Sequence, residues 1–155
     1  MASPGSSLGA LWHRFGGSSA GRWLFSRLFG WFVPYSATIG ARIERLEPGY
    51  CRTVLRDRRG VRNHLRSVHA VALVNLGEMT SGLAMTMALP DGVRGIVTEM
   101  GAEYLKKARG TLTAEARVTV PEVAGVPVDT RVETTISDAS GEVVCRVFTI
   151  WRLAR

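Results

Sequence analysis

The stretch Val68-His69-Ala70-Val71-Ala72-Leu73-Val74-Asn75-Leu76-Gly77-Glu78, continued by an apolar tail to Leu89, decides how this 155-residue chain folds. After Val68 come roughly twenty residues with one carboxylate, one amide and one imidazole, too long for a strand and apolar on almost every face of a helix. Such a helix has to be buried. It is long enough to cross a bilayer, but Glu78 sits near its middle, where a carboxylate costs roughly 2.5–3.5 kcal/mol or more in lipid. The reading is a core helix that starts near His69 and is stopped by Leu89-Pro90-Asp91-Gly92, a proline followed by a turn.

The flanking sequence supplies strands to enclose it. Before the helix, Ile39, Ala41 and Ile43 alternate with polar or small residues, Pro48-Gly49 makes a turn, and Tyr50 to Arg56 reads as the second arm of a hairpin. After the helix, Gly95 to Lys107 is strand-like. Leu112, Ala114, Ala116, Val118 and Val120 then alternate with polar residues, and Val126, Val128, Val132 and Ile136 repeat the pattern. Asp138-Ala139-Ser140-Gly141 turns the chain into a last strand, Val143 to Leu153. The expected class is α+β, a largely antiparallel sheet wrapped around one long helix.

Residues 1–36 form a separate N-terminal arm before a domain spanning 37–155. The arm has no Asp or Glu, the first being Glu44, and it is dense in Trp, Phe, Gly, Ser and Arg. An acid-poor start with Arg and Ser can be an organellar leader, but the aromatic density points away from that, and no cleavage pattern follows a clean apolar core. Around Arg22 to Val33 helical spacing sets Arg22, Ser26 and Gly30, with Arg27 beside them, against a face of Trp23, Leu24, Phe25, Leu28, Phe29, Trp31 and Phe32. Arg27 and Pro34 interrupt it too soon for a membrane span. Two readings stay open: a helix docked on the domain or on a partner copy, or a peripheral membrane contact through residues 22–33.

The net charge of +7 and a pI near 10.4 call for an anionic partner, whether nucleic acid, a membrane surface or a phosphorylated small molecule. No nucleic-acid recognition motif, phosphate-binding glycine loop or internal repeat is present, so nucleic acid has charge alone in its favour. Cys51 and Cys145 fit no metal or redox spacing, and two reduced thiols in a reducing cytoplasm are expected, with no metal.

Asn63, His69 at the helix start with Ala70-Val71, and Leu76-Gly77-Glu78 along the helix together resemble the hotdog-fold thioesterase superfamily of the phenylacetate-pathway type. In that superfamily an Asn precedes a His-Gly-Gly helix start and a Leu-Ala-Asp/Glu segment follows. A branch marked by Asn-His, His-Ala-Val-Ala-Leu, Asn-Leu-Gly-Glu and Tyr-Leu-Lys-Lys-Ala-Arg-Gly is similar to Asn63-His64, His69 to Leu73, Asn75 to Glu78 and Tyr104 to Gly110, over about residues 34–152. Here Ala70-Val71 stands in place of Gly-Gly, and Gly77 in place of Ala.

The resemblance implies a hydrolase of acyl-coenzyme A or acyl-carrier thioesters, with coenzyme A entering only as part of the substrate and no separate cofactor. It implies homodimers, which can pair into tetramers, with Glu78 of one subunit facing its partner's helix start. Helix starts carry free N–H groups and the positive end of the dipole, so Ala70, with Val71, is the candidate oxyanion donor. Glu78 is the candidate base or nucleophile, its pKa raised in an apolar channel, and Asn63 would orient water or the carbonyl. Glu78 bridging to a cation, His69 as a structural helix-start residue and Asn75 as a core hydrogen-bond partner are the bland alternatives.

For the carrier, Lys106, Lys107 and Arg109 beside Gly110, and the loop residues Arg56, Arg58, Arg59 and Arg62, are candidate phosphate contacts or a solvated basic face. Lys106 and Lys107 are expected on opposite faces of a strand. A non-catalytic acyl or lipid binder and a hotdog dehydratase or hydratase are the other functional readings.

Overall fold

The computed structural model describes residues 4–155. Three helices come first: α1 (Pro4–Phe15), α2 (Ser19–Phe32) and the single turn α3 (Pro34–Ala37). Then follow β1 (Arg42–Glu47), β2 (Tyr50–Leu55), a 3-10 turn at Arg59–Val61 and the long helix α4 (Ala70–Ala88). Four strands close the chain, β3 (Arg94–Tyr104), β4 (Leu112–Arg117), β5 (Val128–Ser137) and β6 (Val143–Ala154). All six strands form one sheet in the order β1-β2-β4-β5-β6-β3, each neighbouring pair antiparallel. This is the hotdog architecture, a curved sheet around one central helix.

α4 starts where sequence placed it because His69 is extended and its Nδ1 accepts the Val71 N–H at 3.1 Å, satisfying one of the helix's orphan donors. It ends at Leu89 before Pro90. Gly92, at φ +79°, reverses the chain into β3, a conformation that favours glycine.

The side of α4 against the sheet is packed without slack. Leu76, Thr80 and Ala84 are fully buried, and β4 presents the small Ala114 and Ala116 toward the helix. Gly77 makes the closest approach: a Cβ there would lie 2.4 Å from Val147 Cβ. The polar groups on this side are paired. Thr134 Oγ1 donates to the Gly77 carbonyl at 3.0 Å, and Thr80 Oγ1 bonds both Thr53 Oγ1 at 2.7 Å and the Leu76 carbonyl at 2.6 Å.

The sheet does not close around the helix alone; the arm covers the side the sheet leaves. Gly5 of α1 meets Thr86 of α4 so closely that a Cβ would lie 2.4 Å from the Thr86 carbonyl oxygen. The buried Phe25 of α2 stacks edge-on against Trp12, ring centroids 5.0 Å apart. Ser26 Oγ accepts the Ile43 N–H at 2.9 Å, tying α2 to edge strand β1. Gly30 packs on Ala37, where a Cβ would come within 2.8 Å of the alanine Cβ.

These contacts correct the expected faces of α2. The small and polar residues Ser26 and Gly30 point into the protein because they allow close approach. The aromatics divide: Phe25 and Phe29 pack inward, Trp23 and Trp31 outward. No helix among the described residues is long and apolar enough to cross a membrane.

Three strand assignments also shift. Val126 lies exposed in a loop ahead of β5, and Val118 and Val120 follow the end of β4. Lys106 and Lys107 lie beyond β3, so they do not occupy opposite faces of a strand. The ladder stops at Tyr104, where the N–H groups of Leu105 and Lys106 both turn to the Val144 carbonyl, at 3.0 and 3.2 Å.

Candidate functional site

Between the arm and the open side of α4 lies a cavity of ≈ 480 Å³. Leu8, Phe25 and Phe29 wall it from the arm, Met79, Gly82 and Leu83 from α4, and Trp151 from β6. Among the described residues Glu78 is the one charged group on this lining, on the α4 wall. The cavity is therefore a largely apolar space that holds one carboxylate among the described residues, with Ser7, Ser36 and Thr86 also on its lining.

Glu78 is partly buried, and that burial raises its carboxyl above the ordinary glutamate value. No ion pair or hydrogen bond to its carboxylate occurs among the described residues, so nothing offsets the desolvation. Its backbone is held instead. Trp151 Nε1 donates to Thr149 Oγ1 at 2.9 Å, Thr149 Oγ1 to Ser81 Oγ at 3.1 Å, and Ser81 Oγ to the Glu78 carbonyl at 2.9 Å. This chain locks the helical turn carrying Glu78 to the indole beside it.

The helix start forms a second, smaller cleft of ≈ 240 Å³, lined by Tyr35, Ile39, Val61, Arg62, His69, Val71, Ala72 and Asn75. His69 uses its ring nitrogen on the Val71 N–H, which leaves the N–H groups of Ala70 and Ala72 as the remaining first-turn donors. Asn75 Nδ2 reaches the Tyr35 carbonyl at 3.4 Å, a contact between α4 and α3 beside this cleft. Ala70 and Glu78, eight residues apart, are about 12 Å apart along the helix. One chain thus presents the two features at separate places.

Asn63 folds its own loop: Oδ1 accepts the Leu65 N–H at 2.9 Å, the Ser67 N–H at 3.2 Å and the Ser67 hydroxyl at 3.2 Å. That loop is knit to the one after β3 by Val68 N–H on the Ala108 carbonyl and closed onto the preceding 3-10 turn by His69 N–H on the Val61 carbonyl, both at 2.8 Å. Arg62 and Arg109 consequently share the corner around the helix start. Arg62 Nε is paired with Asp57 Oδ1 at 2.6 Å, holding that carboxyl below its usual range, while Arg109 lies exposed over the Leu65 carbonyl. Lys106 is drawn away to Glu142 and Asp138 at the β5–β6 turn. Lys107 is exposed.

Sequence reasoning placed Phe25 and Phe29 on the apolar face of a helix that could dock on the domain, but it missed their share, with Leu8 and Trp151, in a cavity wall. Phe25 and Phe29 stand one helical turn apart, and Gly5 and Gly9 do the same on α1. That spacing, a notch of glycines and a pair of phenylalanines, was the available signal for a docked arm.

A six-stranded antiparallel sheet around one long helix defines a member of the hotdog fold class. The chain belongs to the family DUF4442, a domain of unknown function, whose model matches residues 21–153. Among solved structures, a structural-genomics target protein is 29% identical with a TM-score of 0.81, over 95% of this chain and 97% of that one. A protein of unknown function from Pseudomonas aeruginosa, described as a probable thioesterase, is 25% identical with a TM-score of 0.72, over 83% and 92%. A Haemophilus influenzae thioesterase shares the fold at 15% identity, TM-score 0.68, over 78% and 82%. No curated protein matches the chain.

Proposed function

We propose that the protein hydrolyses acyl thioesters, with the acyl chain in the cavity beside α4 and Glu78 as general base. The observation that carries this reading is the unpaired, partly buried Glu78 carboxylate on the wall of a largely apolar ≈ 480 Å³ cavity. A carboxylate set in such walls without a cation is costly, and catalysis is a purpose that explains it. The fold adds support, since the Pseudomonas aeruginosa relative is described as a probable thioesterase.

In the reaction Glu78 takes a proton from water, and the hydroxide oxygen bonds the thioester carbonyl carbon. The oxyanion that forms is held by a helix-start N–H, that of Ala70. Collapse breaks the carbon–sulfur bond, and the thiolate leaves with the proton returned by Glu78, giving carboxylic acid and thiol. A homodimer supplies the geometry that a single chain lacks, placing the helix start of one copy by Glu78 of the other. The free edge of β3, with Ile96, Met100 and Tyr104 exposed along it, is the pairing surface, because an open edge of 11 residues is otherwise a template for unwanted association. The carrier is coenzyme A or an acyl carrier protein, its phosphates meeting Arg109, Arg62 and Lys107.

The test is thiol release from acyl-coenzyme A substrates of increasing chain length. Wild-type turnover is expected, and Glu78→Ala should lose about 10²–10⁴-fold in kcat with the fold retained. Absence of turnover by the clean folded protein, or equal turnover by the variant, ends the reading. A base with a raised pKa also requires activity to climb with pH through a midpoint above the ordinary glutamate value.

A second reading, an acyl binder without hydrolysis, is favoured by one observation: His69 already occupies the Val71 N–H, one of the helix-start donors an oxyanion would use. A co-purified acyl ligand in native mass spectrometry, with no thiol release, would select it.

A further inference from the structure

Helix α2 has two working sides. Its inner side is spent on the cavity and the core through Phe25, Phe29 and Ser26. Its outer side carries Trp23, Arg27 and Trp31 at four-residue spacing, one stripe along a helix of 14 residues. Trp23 is 59% exposed, Trp31 78%, the adjoining Phe32 69% and Tyr35 of α3 70%. Neighbouring aromatics this open are not core residues and mark a surface that meets something.

We propose that this outer side of α2 seats the protein on an anionic bilayer surface. Trp and Tyr rings settle at the headgroup level, and arginines beside them meet lipid phosphates, which is the composition of this stripe. Arg27, Trp23 and Trp31 border a groove of ≈ 410 Å³ lined also by Gly30, Gly40 and Arg42. Arg42 is paired with Glu44, whereas no carboxylate pairs with Arg27 among the described residues. The chain carries no Asp or Glu before Glu44, and Arg14, Arg22 and Arg27 all fall in the arm. Two such basic surfaces repel one another, so charge selects an anionic lipid surface over a second copy as the occupant.

The seat adjoins the cavity. Leu28, Phe32 and Val33 line the cavity and are also exposed at the outer edge of the arm, so an acyl chain has an apolar path from the bilayer toward Glu78. That delivery role rests on the acyl-thioester reading; the seating does not.

The test uses the full chain and vesicle flotation without any thioester, so it fails or succeeds independently of hydrolysis. Phosphatidylcholine vesicles containing phosphatidylglycerol should carry the protein, phosphatidylcholine alone should not, and added salt should release it. Arg27→Glu and the double variant Trp23→Ser/Trp31→Ser should each lower partitioning roughly tenfold or more, with circular dichroism unchanged. No binding to anionic vesicles, equal binding by the variants, or a Trp23→Ser/Trp31→Ser protein that changes oligomeric state in sedimentation velocity overturns the proposal.

Discussion

The two sides of α4 share one helix and nearly one hydropathy, yet they are built to opposite ends. Toward the sheet, Leu76, Gly77, Thr80 and Ala84 pack at contact distance, and the hydroxyls of Thr53, Thr80 and Thr134 are all bonded. Toward the arm, Glu78, Met79 and Gly82 border a cavity, and the carboxylate has no partner among the described residues. A filled side gains dispersion and burial; a hollow side forgoes them. The contrast teaches that the apolar character of this helix serves folding on one side and a guest on the other.

Gly77→Ala strikes the filled side and should give the largest stability change. Its Cβ would lie 2.4 Å from Val147 Cβ and 2.6 Å from both methyls, an overpacking that costs about 1–3 kcal/mol or more. Urea denaturation should show the loss, and adding Val147→Ala should recover part of it. Full stability in Gly77→Ala alone would mean that this side has slack after all.

Glu78→Gln probes the hollow side through pH. The raised Glu78 pKa means the fold favours the protonated acid, so this contribution is fully present below the ordinary glutamate value. It is lost as pH rises through the raised folded value. Thermal melts of wild type and Glu78→Gln should therefore converge in acid and separate toward neutral pH, with the glutamine variant higher. A gap that does not change with pH would indicate that Glu78 is solvated rather than desolvated.

Gly82→Ala should have the smallest effect and completes the comparison. Its Cβ would meet Trp151 at 3.4 Å, an ordinary contact, and alanine is the better helix former by up to about 1 kcal/mol. Chemical denaturation should find it neutral or slightly stabilised, while thioester assays should show a preference for shorter acyl chains. A loss as large as that of Gly77→Ala would erase the distinction between the sides.

Much of this frame was legible in the residues. The cap at His69, the stop before Pro90 and the turn at Asp138 to Gly141 are local chemistry. Asp138 Oδ1 accepts from Ser140 N–H, Ser140 hydroxyl and Glu142 N–H, while Gly141 takes φ +84°. Glu78 stood out because one carboxylate in a long apolar helix needs a reason. The course of Val126 and Lys106 was not legible, because alternation continues past a strand's end while the hydrogen-bond ladder does not. The orientation of α2 was hidden for another reason: Ser26 and Gly30 read as a polar face, whereas their small size is what lets the helix dock.

By itself the sequence determined the long helix, the hairpin before it, the four strands after it, their order and the lone carboxylate, since these follow from periodicity, capping and the cost of burying charge within short stretches of chain. The tertiary structure alone decided which side of α4 is filled and which is hollow. A cavity is the mismatch between two surfaces brought together from distant segments, here the arm and α4, and no local pattern in either segment specifies the space left between them.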